Sequence, residues 1–146
     1  MKKLILLFIF IIVSTISIES QEEYKPFTKS YSYVQKFEKD YKIIEESDFF
    51  TKITFNYNHL SYVRIRIYVN DKPKTYTYYI TSGWVSENKQ NIEIKSAIMV
   101  NTHDNTDTKY IITIIGNFES IIVYNTHNDT GASFTNERIK DNSDIY

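Results

Sequence analysis

Strict alternation of apolar and polar side chains in "YVRIRIYV", Tyr62 to Val69, is the feature that most constrains the fold of this chain. Successive side chains of a β-strand point to opposite faces, so a period of two predicts a strand with one apolar face. Valine and isoleucine occupy that face, and the opposite face carries Tyr62, Arg64, Arg66 and Tyr68. A helix would instead need apolar residues three and four positions apart.

Other segments have the same strand character and are separated by short polar connections. They are "KITFNYN" (52–58), "TYTYYIT" (75–81), "NIEIKSAIMV" (91–100), "DTKYIITII" (107–115), "FESIIVY" (118–124) and, as a possible edge strand, "ASFTNERI" (132–139). Asn70–Asp71 and Gly116–Asn117 supply hairpin turn residues. We therefore predict an all-β fold of about six to eight strands, an antiparallel up-and-down meander that forms a small barrel or a curved sheet. "YIITII" and "SIIVY" are apolar on both faces and should be central strands.

The N-terminal region predicts export and a boundary before the β domain. Residues 1–20 combine two early lysines, an apolar run and then small polar residues, which is the pattern of a secretory signal peptide cleaved after Ser20 or Ser17. An uncleaved anchor is the alternative. Residues 21–50 form an extended or helical segment, with a short helix expected within Ser30–Ser47. Residues 51–140 form the β domain, and residues 141–146 form a flexible tail.

Composition and charge exclude several classes of function. The chain has no cysteine, so it cannot form disulfides or use thiol catalysis. Its formal net charge is -1 and it has no long basic run, so we expect no nucleic-acid partner. Without a basic run, the chain also offers no polybasic site for a membrane surface. We therefore expect membrane contact only during export, through the signal peptide. The protein is then expected to be secreted or periplasmic.

A short repeat raises the possibility of a metal site. "NTHDNTDT" begins at Asn101 and "NTHNDT" at Asn125, and each copy follows an apolar run. The histidines and acids of the two copies could ligate a metal ion such as zinc: His103, Asp104, His127 and Asp129. The same residue types are also typical of hairpin turns. Two strands separate the copies, so strand parity predicts that both lie at the same end of the sheet.

The polar face of the clearest strand is the best candidate for a binding surface. Tyr and Arg are enriched at recognition surfaces, and this combination also suits a sugar or an anionic ligand. The candidate residues are Tyr62, Arg64, Arg66, Tyr68, Tyr79 and Trp84. Cross-strand aromatic pairing is the structural alternative for the tyrosines, and a role in plugging the core is the alternative for Trp84.

The sequence offers no recognisable catalytic motif and predicts no cofactor. It has three glycines, no glycine-rich phosphate loop and no Gly-x-Ser-x-Gly element. We therefore expect an exported binding or protein-interaction module rather than an enzyme. Its partner would be a protein, or a small apolar or sugar ligand, the apolar one held inside the sheet if the sheet closes. A metal-binding protein or metal-dependent enzyme that uses His103 and His127 is the alternative.

Overall fold

The computed structural model describes residues 26–56, 62–103 and 108–137. The described residues form eleven strands and one three-residue 3-10 turn, Lys39–Tyr41. The strands are β1 (Phe27–Tyr31), β2 (Tyr33–Glu38), β3 (Lys42–Ser47), β4 (Thr51–Asn56), β5 (Tyr62–Val69), β6 (Lys72–Ile80), β7 (Val85–Lys89), β8 (Ile92–Asn101), β9 (Lys109–Ile115), β10 (Ser120–Asn125) and β11 (Thr130–Thr135). The prediction of a nearly all-β fold is confirmed.

All strand pairs are antiparallel, and they form one sheet in the order β1-β4-β5-β6-β8-β9-β10-β11-β2-β3, with β7 added beside β8. Strands β1 and β2 lie near opposite ends of this order, yet only Ser32 separates them along the chain. The sheet must therefore curve until its two ends lie side by side. The hydrogen bonding among the described strands does not close into a ring. The curved-sheet prediction is confirmed, and the barrel alternative is wrong.

The N-terminal segment differs most from its predicted structure. The helix expected within Ser30–Ser47 is wrong, because this region forms β2, a turn and β3. Asp40 and Tyr41 have φ angles of 61° and 57°, which reverse the chain between the two strands. Residues 1–20, the predicted signal peptide, lie outside the described residues. Across the described ranges, no helix is long and apolar enough to cross a membrane.

Most of the predicted connections occur where the turn residues indicate. Asn70 and Asp71 both have positive φ angles (50° and 61°), the backbone of a type I′ hairpin turn between β5 and β6. The turn predicted at Gly116–Asn117 is present but spans residues 116–119. The segment "ASFTNERI" is a possible edge strand by its sequence; a strand does form over its first half, but not at the edge of the sheet. The strand in this region, β11, lies between β10 and β2.

The main hydrophobic core lies on the concave side of the curved sheet. It collects side chains from nine strands, among them Ile53, Val63, Met99, Ile112 and Ile121, each 0% exposed. The predicted apolar face of β5 contributes to this core. Strands β9 and β10 are central in the sheet order, as their composition predicts. The first four residues of β10 are buried on both faces, whereas β9 is buried on one face at Ile112 and Ile114 and on the other at Ile115.

The buried phenol of Tyr31 makes the stability of this core sensitive to alkaline pH. Its hydroxyl donates to the carbonyl oxygen of Phe118 at 3.0 Å, and burial raises its pKa above the ordinary value of 10.0. Because the folded-state pKa is raised, this stabilisation is complete below about pH 10 and is lost as pH rises further. We expect Tyr31→Phe to cost about 1 kcal/mol at neutral pH.

Urea denaturation at a series of pH values checks this expectation. The advantage of wild type over Tyr31→Phe should stay constant up to about pH 9.5 and shrink above about pH 10. An advantage that stays constant through about pH 11 would contradict the raised pKa.

Candidate functional site

Five of the six predicted ligand-contacting residues share one surface of the sheet. Tyr62, Arg64, Arg66 and Tyr68 alternate along β5, and Tyr79 on β6 lies directly opposite Tyr62. Their strand neighbours Val63 and Ile65 point into the core, so these five side chains lie on the convex side. We call the surface formed by Tyr62, Arg64, Arg66, Tyr68 and Tyr79 the Tyr/Arg face.

A third cation on β4 borders this face. Lys52 pairs directly with Arg66, and Thr54 pairs directly with Arg64. On the other side of β5, Thr77 lies opposite Arg64. Lys52 did not stand out in the sequence, because only the register of β4 against β5 brings it beside the arginines. The structure therefore places three cations in adjacent positions of two strands.

Among the residues that the structure describes, none of these three cations forms an ion pair. The four ion pairs between described residues lie elsewhere: Lys36–Glu45, Lys42–Glu38, Lys89–Glu87 and Lys95–Glu93. Like charges directly opposite one another on adjacent strands are destabilising, and Lys52 and Arg66 form such a pair. The face thus carries three positive charges that no carboxylate among the described residues neutralises in an ion pair.

Aromatic rings hold two of the cations in place. The Lys52 ammonium lies 5.5 Å from the ring centroid of Phe50 and 6.0 Å from that of Tyr68. The Arg64 guanidinium lies 5.5 Å from the ring centroid of Tyr62. A ring attracts a cation through its quadrupole and leaves the net charge unchanged. The rings therefore orient Lys52 and Arg64 while their charge stays available to an anion.

The border of the face adds further aromatic surface and hydroxyl groups. Phe50 is 46% exposed and Tyr79 is 42% exposed, so both rings offer contact area to a ligand. The hydroxyls of Thr28 and Thr54 lie 2.9 Å apart, and Thr75 lies opposite Arg66. Guanidinium and ammonium donors beside exposed rings can bind carboxylate, sulfate or phosphate groups.

Trp84, the sixth predicted residue, lies apart from the other five. It is half-buried and packs against the main core, in agreement with the alternative of a structural plug. It also lines a cleft of about 710 Å³, together with Ile92 and Phe118, and no residue of the Tyr/Arg face lines that cleft. The prediction that Trp84 contacts the same ligand as the tyrosines gains no support from this position.

The repeated "NTH" segments form two copies of the same local turn. The backbone N–H of His103 donates to Asn101 Oδ1 at 2.9 Å, and that of His127 donates to Asn125 Oδ1, also at 2.9 Å. Thr126 then donates to the carbonyl oxygen of Lys109 from its backbone N–H and from its hydroxyl. These bonds place both turns at the same end of the sheet, as strand parity predicts. Turn formation accounts for the repeat.

The metal interpretation of the same turns has few ligands to draw on. No group of three His, Cys, Asp or Glu residues that could hold a metal ion occurs within the described residues. His103 and His127 are exposed, and Asp104 lies outside the described residues. Asp129 accepts a hydrogen bond from the Tyr124 hydroxyl at 2.9 Å, which raises the pKa of Tyr124. The described part of the repeat is therefore organised around turn hydrogen bonds.

Comparisons with models of known protein families, with curated proteins and with solved structures found no significant match to this chain. The chemistry of the molecule itself must therefore indicate its function. Among the surfaces described above, the Tyr/Arg face is where cations, rings and hydroxyls come together. Acidic residues such as Glu38, Glu45, Glu87 and Glu93 lie on other strands and pair with lysines there.

Proposed function

We propose that this protein is an exported binding module that recognises an anionic ligand through the Tyr/Arg face and Lys52. The observation that carries this proposal is the group of three adjacent cations that have no ion-pair partner in the described part of the chain. A structural role for the face would favour a carboxylate beside each cation, because unneutralised like charges destabilise the sheet. An anionic ligand would supply the missing carboxylate, sulfate or phosphate and relieve this repulsion.

The composition of the face supports recognition rather than general attraction of anions. Tyr and Arg are enriched where proteins bind partners, because their rings and planar donors give large contacts with few rotatable bonds. The chain as a whole has a formal net charge of -1, so a general excess of positive charge does not explain the cations that adjoin on this surface. Export is supported by the signal-peptide pattern of residues 1–20, and it would make an extracellular or periplasmic ligand accessible.

Charge reversal at the two arginines tests the proposal. We expect Arg64→Glu/Arg66→Glu to weaken binding of poly-L-glutamate or heparin by at least about tenfold, because both side chains then repel the ligand. Binding to wild type should also weaken as salt is raised, since the cations are partly exposed. Isothermal titration calorimetry, with each polyanion titrated separately, measures these affinities.

A matched variant separates this site from a simple effect of net charge. Lys42→Glu/Lys95→Glu causes the same change in net charge, and both lysines form exposed ion pairs away from the Tyr/Arg face. We expect this control to retain most of the wild-type affinity. Equal loss in both double variants would contradict the proposal, and so would a wild-type protein that binds neither polyanion.

A further inference from the structure

The order of residues along β5 gives the Tyr/Arg face a regular spacing. Its convex side carries Tyr62, Arg64, Arg66 and Tyr68 in sequence, two rings with two cations between them. Side chains on one face of a strand recur every second residue, about 7 Å apart, so the row covers about 20 Å. Arg64 and Arg66 are neighbours in this row, so a ligand that uses both arginines must present two anionic groups about 7 Å apart.

An extended polypeptide has the same repeat as the strand on which it would lie. Acidic residues at positions i and i+2 of an extended segment point to one side, about 7 Å apart. Each carboxylate can then accept two parallel N–H bonds from one guanidinium. Apolar or aromatic residues at positions i−2 and i+4 of the same segment would reach Tyr62 and Tyr68.

Lys52 makes the two cationic positions unequal. It lies directly opposite Arg66, whereas Thr54 lies opposite Arg64. The carboxylate at Arg66 would therefore contact two cations, and the carboxylate at Arg64 would contact one cation and a hydroxyl. Because charged donors give stronger hydrogen bonds than neutral ones, the acid at Arg66 should contribute more to binding.

From this spacing we infer that the anionic partner is a protein with an extended acidic segment, in which two Asp or Glu residues alternate with other residues and aromatic or apolar residues flank them. The inference rests on the proposed function and specifies its ligand. The segment lies along β5 on the convex side of the sheet. Its alternate carboxylates bind Arg64 and Arg66, and its flanking residues pack on the two tyrosines.

Two synthetic peptides of identical composition test the spacing. One is acetyl-Tyr-Thr-Glu-Thr-Glu-Thr-Tyr-amide, and the other is acetyl-Tyr-Thr-Thr-Glu-Glu-Thr-Tyr-amide, in which adjacent glutamates point to opposite sides of an extended chain. With protein expressed from its full-length sequence, we expect the alternating peptide to bind at least about fivefold more tightly. Lys52→Ala should reduce the affinity for this peptide more than Lys36→Ala does.

A charge-swap experiment adds a readout that loss of folding cannot imitate. Arg64→Glu/Arg66→Glu should lose the alternating glutamate peptide and gain a preference for the peptide with lysine in place of each glutamate. Equal affinity of wild type for the two glutamate peptides would overturn the inference. Much tighter binding of heparin or of a single-stranded oligonucleotide to the same arginines would overturn it in favour of a glycan or a nucleic acid. In both cases the anion-binding proposal would stand.

Failure of the proposed function itself gives a different result. In that case no polyanion or peptide would distinguish wild type from the arginine double variant. Chemical-shift changes of the backbone amides of Thr54 and Thr77, which lie opposite Arg64 on either side, locate binding on this face when the alternating peptide is added. Shifts confined to other strands would overturn the inference.

Discussion

Replacing Gly131 with alanine is expected to destabilise the protein by about 2–3 kcal/mol, as overpacking of a closed site does. A Cβ atom at this position would lie 2.6 Å from Phe37 Cε2 and 2.8 Å from the carbonyl oxygen of Val123, and it would also overlap Phe37 Cζ. The Phe37 ring is only 1% exposed, so it has little room to move away. The Val123 oxygen belongs to the backbone of β10, which is paired with β11 at this point.

Gly83→Ala is the matched control for this substitution. Among the described residues other than its two chain neighbours, none has a heavy atom within 4 Å of the position that a Cβ would take at Gly83, and neither glycine has a positive φ angle. The control should therefore change the free energy of unfolding by less than about 0.5 kcal/mol. Urea denaturation of the two single variants measures the difference, which isolates steric overlap from any change in backbone preference.

A double-mutant cycle identifies the ring as the cause. If the Phe37 side chain is the main obstacle, Gly131→Ala should cost clearly less in a Phe37→Ala background than in wild type. A cost that is the same in both backgrounds would assign the effect to the Val123 carbonyl oxygen. A cost below about 0.5 kcal/mol in wild type would contradict the close packing of β2 on β11.

The sequence predicts strands well where one face is apolar and the other polar. Strand β5 shows this pattern, and its two faces lie as the alternation indicates. The pattern fails in β2, where Val34 is buried in the main core and Phe37 is buried in a smaller cluster on the opposite face. Two buried residues three positions apart imitate the spacing of a helix, so a strand covered on both faces gives a helical signal.

The candidate site was predictable only in part for a related reason. Alternation along β5 and the hairpin at Asn70–Asp71 were enough to place Tyr79 beside Tyr62. The contributions of Lys52 and Phe50 depend on how β4 pairs with β5, across connecting residues that do not specify a register. The absence of ion-pair partners for the cations in the described structure depends on where the acidic residues of distant strands lie. A local sequence pattern contains no information about that.

Strand β8 provides the most direct test of how the sheet is oriented. Its sequence assigns Ile92, Ile94, Ile98 and Val100 to one face, and Ala97 and Met99 to the other. Apolar content alone would favour the isoleucine face as the buried one. The structure instead buries Met99 completely, at 0% exposed, and leaves Ile98 40% exposed, although Ile94 on the isoleucine face is buried further along the strand. Neighbouring residues of one strand thus have opposite environments.

Met99→Ala is therefore expected to cost about 2–4 kcal/mol, because it removes a side chain from a closed core and leaves a cavity. Ile98→Ala should cost about 1 kcal/mol or less, because solvent already reaches that side chain. Urea denaturation gives both values, and an unchanged m-value shows that both variants expose the same surface on unfolding. A larger cost for Ile98→Ala would mean that β8 turns its isoleucine face inward. Since β8 pairs with β6 at Tyr78 to Ile80, with flanking backbone bonds at Thr77 and Thr81, such a reversal would also alter how the Tyr/Arg face joins the rest of the sheet.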